Sequence, residues 1–470
     1  MTQDARGIAA AGAQSTAGAR GRKWRWRARS RRRVATVCAV ITAAGAAAAT
    51  SLLLSASGHG RAAASGWHRI GPTLEVSRGC AGQNAEVEQA TDGSYVYEAW
   101  IGCGGIGFAR SADGGRSFGH PVTVPGSAGT GRYPSGLPKY GWDPAVAIGP
   151  AGTVYVSYMI EKRGYAHPVV AVSADHGRSF SMVSNVMPPA PNNWGDRDFI
   201  AVAPDGTLYV TWNYGQSLKT RRPNAVIQHS ADGGKTWSGI TPVSPGFPSQ
   251  GGAAAAPLLA EPSGRIDVLF WTLEGDGIVH PKLPNGHDYF TSSADGGRSW
   301  TKPVGVQPRV GTIGKLVTWI DVALAIDAAG TLYATWDSQH PGGDIGWLSY
   351  STNHGHSWSA ALRVTPDHDS AEHIMAVAGG APGTAYVGWL SDNSVRGFAL
   401  YLRPFSVRRG WLSKPVRVSP QFGNPTIWPG DTIGICVQRP GSHSLPRVVL
   451  SWGSAVTGQT SQIWSSQMVP

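Results

Sequence analysis

Four tryptophans of this 470-residue chain stand next to or close to aspartates: Trp142 with Asp143, Trp194 with Asp196 and Asp198, Trp319 with Asp321, and Trp428 with Asp431. An indole offers a broad apolar face on which a sugar ring can stack. Carboxylates accept hydroxyl hydrogen bonds, and two of them about 5 to 9 Å apart can serve as the acid and base of glycoside hydrolysis. Arg197, between Asp196 and Asp198, adds a planar guanidinium suited to two-point recognition of a carboxylate, and Arg309 and Arg396 are possible companions. Tyr133, Tyr140, Tyr165 and Tyr214 are further aromatic groups in connecting segments. The plainer alternative is that these aspartates bond backbone amides at strand starts while the indoles pack between structural units.

What must position these residues is a repeat. Ser111–Phe118 reads Ser-Ala-Asp-Gly-Gly-Arg-Ser-Phe, and the pattern returns at Ser173–Phe180, Ser230–Trp237, Ser293–Trp300 and Ser351–Trp358, with Asn353 in place of the acid. An Asp or Asn followed by Gly supplies a side-chain oxygen for nearby amides and a residue free to take positive φ, so the chain reverses tightly between strands. A second repeat consists of β-rich runs closing on aromatics at positions 100, 158, 212, 271, 336, 389 and 452, which lie 53 to 65 residues apart. A recurring period of this length is the mark of a repeat architecture.

Each module divides into four strands with a two-residue alternation. In the third they are 199–203, 208–212, 225–229 and 237–244. The expected fold is therefore all-β, a seven-bladed β-propeller of four-stranded antiparallel blades, with six blades as the alternative. The seventh module runs through 432–436, 448–452 and 462–466 and then ends without a fourth strand. Residues 66–77 resemble the fourth strands elsewhere, such as 410–419, so the N-terminal strand is expected to close the ring and remove an open edge.

The formal charge of +11 belongs to the N-terminus, because residues 1–65 carry eleven basic side chains and one acid, and the remainder 29 basic and 28 acidic residues. A near-neutral propeller has no clustered positive charge for nucleic acid. The expected organisation is a basic segment at 1–33, a signal peptide or membrane anchor at 34–56, a linker at 57–65 and the propeller at 66–470. The uncharged stretch Val34–Leu54 would span about 31 Å as a helix, enough for a bilayer core. Ala62-Ala63-Ala64, on the other hand, suits cleavage by a signal peptidase. Either way the propeller is expected outside the cytoplasm, secreted or anchored, as a monomer that touches membrane only through its N-terminus. Cys80 precedes the first strand of blade one and Cys103 follows the second. Those ends are neighbours in an antiparallel pair, so a Cys80–Cys103 disulfide is expected, with Cys436 a buried thiol.

The repeated turn resembles the Asp-box, or bacterial neuraminidase repeat, and residues 66–470 resemble the propellers of the sialidase superfamily, in particular secreted bacterial sialidase-like proteins. The resemblance implies that Asp113, Asp175, Asp232, Asp295 and Asn353 are structural and lie away from the active side. It also implies an arginine triad, a Tyr–Glu nucleophile pair and an Asp acid/base, and here the sequence departs from the family. No Arg-Ile-Pro motif opens blade one, its nearest relic being Arg69-Ile70-Gly71-Pro72, and 84–90 contains no arginine.

No zinc helix, phosphate loop or nucleophile elbow is present. Asp367, His368, Asp369, Glu372 and His373 could ligate a divalent metal but read more simply as a solvated loop, and no cofactor is expected. Carbohydrate or glycoconjugate binding at the channel mouth is the expected function, with Trp142, Trp194, Arg197, Trp319 and Trp428 as ligand contacts. The alternatives are a glycoside hydrolase, for which Asp143, Asp196, Asp198, Asp321 and Asp431 are the available carboxylates, and a protein-interaction scaffold.

Overall fold

Seven antiparallel sheets follow one another along the chain in the computed structural model. It describes residues 66–129, 141–162, 165–187, 195–214, 224–243, 253–254, 257–272, 288–306, 322–338, 343–366, 373–393, 396–438 and 445–470. Residues Gly66–Pro470 form one compact unit. The N-terminal segments assigned from sequence, 1–65, lie outside the described residues.

Blade three shows the plan. Its strands Asp196–Val202, Leu208–Tyr214, Asn224–Ser230 and Thr241–Pro242 pair in sequence order. The outer strand is only two residues long, where the sequence suggested a run from 237 to 244. Trp237 leaves the ladder and packs instead against the core between blades two and three. In blade four the inner strand is split into Ala253–Ala254 and Leu258–Ala260, and in blade six the outer strand is split into Gly410–Trp411 and Val416–Arg417. The ring closes as its ends predict. His68–Glu75 pairs with Gln462–Val469 as the outer strand of blade seven, beyond Arg447–Ser454 and Gly434–Gln438. The blade count is seven, which disposes of the six-bladed alternative.

The aromatics that end the second strands are the core of the blades. Trp100, Trp212, Trp336, Trp389 and Trp452 are among the largest fully buried side chains. Removing such rings from water stabilises each blade by about 2 to 3 kcal/mol per side chain. The repeated turns fasten one blade to the next. In the first, Ser111 donates to Asp113 Oδ1 at 2.7 Å, the Gly115 amide donates to Ser111 Oγ at 2.8 Å, and the Ser117 amide and hydroxyl both donate to the Asp113 carboxylate. The closing aromatic then reaches the preceding blade. Phe180 meets Phe108 edge-on at 5.0 Å, and Trp358 meets Phe290 at 5.4 Å. Gly177 and Gly355 lie under those rings, where a Cβ would come within 2.6 Å and 2.0 Å of ring carbons.

Cys80 and Cys103 form a disulfide, with Cα atoms 4.6 Å apart. Cys436 is buried and unpaired. No helix among the described residues is long and apolar enough to cross a membrane.

Candidate functional site

The register of each blade separates two ends. In blade three, Asp196 pairs with Asn213 and Asn213 with Ala225, whereas Leu208 pairs with Ser230, which opens the repeated turn. Asp196–Asp198 thus lie at the end of the sheet opposite to Asp232. The inner strand starts of blades one, two and three share a second feature, a break in pairing register at Ala85/Val87, at Trp142/Ala145 and at Asp196/Phe199. At each break one charged residue takes a left-handed backbone: Glu86 at φ 54°, Asp143 at 49° and Arg197 at 53°. Among the described residues only seven non-glycines have positive φ, and two of the others, His176 and His354, belong to the repeated turns. Such a conformation costs an L-residue about 1 to 2 kcal/mol, and it collects where function holds it in place.

These three bulges gather a cluster. The Arg197 amide donates to Asp143 Oδ2 at 3.0 Å. Trp142 Nε1 donates to Asp196 Oδ1 at 3.3 Å. Blade seven approaches from the far end of the chain: Gln83 Nε2 donates to the Trp428 carbonyl at 2.6 Å, and the Glu86 amide donates to the Pro429 carbonyl. Gly430, at φ 108°, lets the two segments meet, since a Cβ there would stand 2.1 Å from the Glu86 nitrogen. Glu88, Asp143, Pro144, Arg197, Asp198, Phe199 and Thr432 line a narrow crevice at this point.

The electrostatics are those of acids taken out of water. Burial raises the Glu86 carboxyl well above the usual range, and the charges of Asp431 and Asp143 push it further. Burial, then the field of Asp143 and a hydrogen bond with it, does the same for Asp196. Asp198 is likewise raised well above its ordinary value by burial, with the Ser157 hydroxyl and Arg197 offsetting only part. Glu88, half-buried in the crevice, is pushed up to about 7, and Asp431 to about 6, each against the lowering influence of Arg197. Raising a carboxyl pKa favours its protonated form, which can donate as well as accept, the property a general acid needs. Arg197 is itself buried, 7% exposed, with its guanidinium 5.5 Å from the Phe199 ring centre.

Of the residues picked from sequence, Asp143, Asp196, Arg197, Asp198 and Asp431 come together here. Trp428 is half-buried and hydrogen-bonded to Asp431. Trp142 differs from the expectation of a sugar-stacking face: it is 8% exposed in the core between blades one and two and holds Asp196 through its N–H. The plainer alternative, aspartates bonding amides and indoles packing between blades, describes Trp142 and one oxygen of Asp143. Trp194, Trp319, Asp321, Arg309, Tyr133, Tyr140, Asp367, His368, Asp369 and Glu372 lie outside the described residues. His373 is buried, with its Nε2 3.0 Å from the Asp344 carbonyl oxygen. Arg396 is exposed, its amide donating to Asn393 Oδ1 at 2.8 Å. Among the described residues, Arg197 is the one arginine acting on these acids, so they supply no arginine triad.

Glu86 and Glu88 were missed. Their signal in the sequence is two acids, two residues apart, at the start of the inner strand of blade one. Asp113, Asp175, Asp232, Asp295 and Asn353 occupy the turns at the opposite ends of the blades. Among the described residues, no group of three His, Cys, Asp or Glu side chains is placed to hold one metal ion.

No family model matches the sequence, and no curated protein matches it. Solved structures do match in fold. A polysaccharide lyase described as an ulvan lyase has a TM-score of 0.55 at 12% identity, over 83% of this chain and 95% of its own. A protein of unknown function from Dyadobacter fermentans has a TM-score of 0.50 at 14% identity, over 70% of this chain and 94% of its own. An intramolecular trans-sialidase from Ruminococcus gnavus gives 0.45 at 14% identity, over 84% of this chain and 97% of its own. At such identities the likeness is one of fold, a β-propeller.

Proposed function

We propose that this chain is a carbohydrate-binding propeller whose ligand seats at the crevice between the inner strand starts of blades one, two, three and seven. One observation carries the reading: three successive blades place a charged residue, Glu86, Asp143 and Arg197, in a left-handed bulge at the same end of the ring. The product of these bulges is a cluster of hydrogen-bonding groups of both signs at one crevice, with the half-buried Trp428 beside it, and a polyol is the ligand such a surface suits. A propeller of similar fold was solved as an ulvan lyase bound to an oligosaccharide, which supports the choice of ligand class. The basic block at 22–33 and the apolar stretch after it favour an exported protein, secreted or held by that stretch.

A glycan microarray probed with the full-length chain tests the reading. Binding to a defined set of glycans that falls about tenfold or more in Arg197→Met supports it; an array blank at every spot removes it.

A second reading, glycoside hydrolysis, is favoured by two acids beside Asp143: Glu88, pushed up to about 7 by burial, and Asp198, which burial raises well above the usual carboxylate range. In this reading a protonated acid donates to the leaving oxygen and an ionised partner activates water or attacks the sugar. Release of new reducing ends by the wild type and its loss in Asp198→Asn is the expected result. Failure to cleave any glycan that the array shows bound would leave the protein a lectin.

A further inference from the structure

Six of the seven junctions between blades are sealed by apolar cores of ten to sixteen buried residues. The seventh, where the ring closes, is built differently. Between blades seven and one the apolar contact shrinks to two patches of five and three buried residues, around Trp100 and around Cys436. Hydrogen bonds fill the rest. Gln438 Nε2 of blade seven donates to Thr91 Oγ1 of blade one at 3.0 Å, Gln467 Nε2 donates to the Gly114 carbonyl at 3.0 Å, and Gln89 Nε2 of blade one donates to Ser451 Oγ at 3.1 Å.

Glu98 sits among these groups, 0% exposed. It stands two residues beyond Val96, which pairs with Ser111 of the repeated turn. The same register position holds Val156, Val210, Val268 and Ala334 in blades two to five, each buried in the apolar core against the preceding blade. The Ser451 hydroxyl and Gln89 Nε2 both donate to Glu98 Oε1, the latter at 2.9 Å. Glu98 Oε2 is buried without a hydrogen-bond partner, and among the described residues no Lys, Arg or His forms an ion pair with this carboxyl. Cys436, Ser451 and Ser465 face it from the three strands of blade seven, and Cys436 is the titratable group among them, its thiol raised by burial and then by Glu98.

We propose that the junction of blades seven and one is the joint at which the ring opens, and that the proton carried by Glu98 keeps it shut. A protonated carboxyl is a neutral hydrogen-bonding group, like the glutamines around it. An ionised one, with a bare oxygen and no cation, is costly in a dry interface. Parting the two blades admits water and relieves that cost. Burial outweighs the Ser451, Gln89 and Ser465 groups that favour the charged form and raises the carboxyl to about 7. The closed state therefore binds the proton more tightly than the open one, so closure is complete below the unfolded value near 4.3 and weakens as pH rises through about 7. Gln83 and Glu86 meet Trp428 and Pro429 across this same junction, so its opening also parts the walls of the crevice.

Cys436, a free thiol in this junction, reports its opening. Its alkylation in the full-length protein is followed by mass spectrometry of the peptide that contains it, at pH 6 and pH 8.5, each rate divided by that of a small model thiol at the same pH. The ratio is expected to rise about tenfold between the two pH values in the wild type. It should stay flat in Glu98→Gln, which keeps the shape without the charge. Hydrogen exchange of the wild type, corrected for the intrinsic rate, locates the opening: amides of 96–102 and 447–454 should gain exchange at pH 8.5 while those of 208–214 and 332–338 do not. A flat ratio in the wild type, a rise retained in Glu98→Gln, or an equal gain of exchange in all four strands overturns the inference. None of these readouts uses a glycan, so failure of the carbohydrate reading leaves the inference standing.

Discussion

The backbone amide of Arg197 in blade three donates to Oδ2 of Asp143 in blade two at 3.0 Å, so two left-handed bulges of adjacent blades hold each other. Asp143 thereby positions Arg197 as well as facing the crevice. Asp143→Ala leaves that amide without its acceptor and should cost about 1 to 3 kcal/mol in chemical denaturation. Asp143→Asn keeps an oxygen in place and should recover more than half of the loss. Equal destabilisation by the two variants would show that the hydrogen bond does not matter.

Gly430 permits blade seven to touch blade one. With φ at 108° and the Glu86 nitrogen 2.1 Å from the position of a Cβ, Gly430→Ala must move one strand or the other. A loss of about 2 kcal/mol or more, measured by urea unfolding, is expected, together with weakened glycan binding. Wild-type stability and binding in this variant would refute the contact.

The pH dependence of stability should have an acidic optimum. For Glu98, buried beside Gln89 and Ser451, and for Glu88, burial raises the folded-state pKa to about 7, above the unfolded value. The folded state binds these protons more tightly, so the stability they contribute is complete below the unfolded pKa near 4.3 and is lost as pH rises through about 7. The turn aspartates act in the opposite sense. Hydrogen bonds from Ser179, Thr236 and Ser299 hold Asp175, Asp232 and Asp295 below the usual carboxylate range, with Asp295 at about 2, and their contribution is lost as pH falls from about 4. The urea midpoint should therefore peak near pH 4 to 5 and drop by pH 8. A midpoint that rises steadily from pH 5 to 8 would contradict these shifts.

Asn353 shows what the repeated turn tolerates. Its Oδ1 accepts the Ser357 amide at 3.0 Å as an aspartate would, while its Nδ2 donates to the Ser357 hydroxyl at 2.8 Å, reversing the direction seen where Ser117 donates to Asp113. Asp232→Asn should therefore keep most of the thermal stability that Asp232→Ala loses, and neither should alter glycan binding. A binding defect in Asp232→Asn would place function on the turn side of the ring.

Removal of residues 66–77 should open the ring. Without His68–Glu75, the edge of Gln462–Val469 is left unpaired and invites strand addition from another chain. Size-exclusion chromatography should then show larger species than the full-length chain gives. An unchanged elution profile would mean that the closure contributes little.

The turn residues, the aromatic period and the last module determined from sequence alone an all-β propeller closed by its N-terminal strand, with seven blades favoured over six, because positive-φ glycines, Asx turns and two-residue alternation are local physics written in residue types. Asp143, Asp196, Arg197, Asp198 and Asp431 were legible as rim residues for the same reason: each stands where a loop enters an inner strand. Only the tertiary structure decided that they meet, that Glu86 and Glu88 join them, and that Trp142 turns inward to hold Asp196. Glu, Asp and Arg rarely adopt the left-handed backbone, so residue type does not announce a bulge. The partners also come from opposite ends of the chain: Gln83 meets Trp428 across 345 residues, and a raised carboxyl pKa exists only once such neighbours have excluded the water between them.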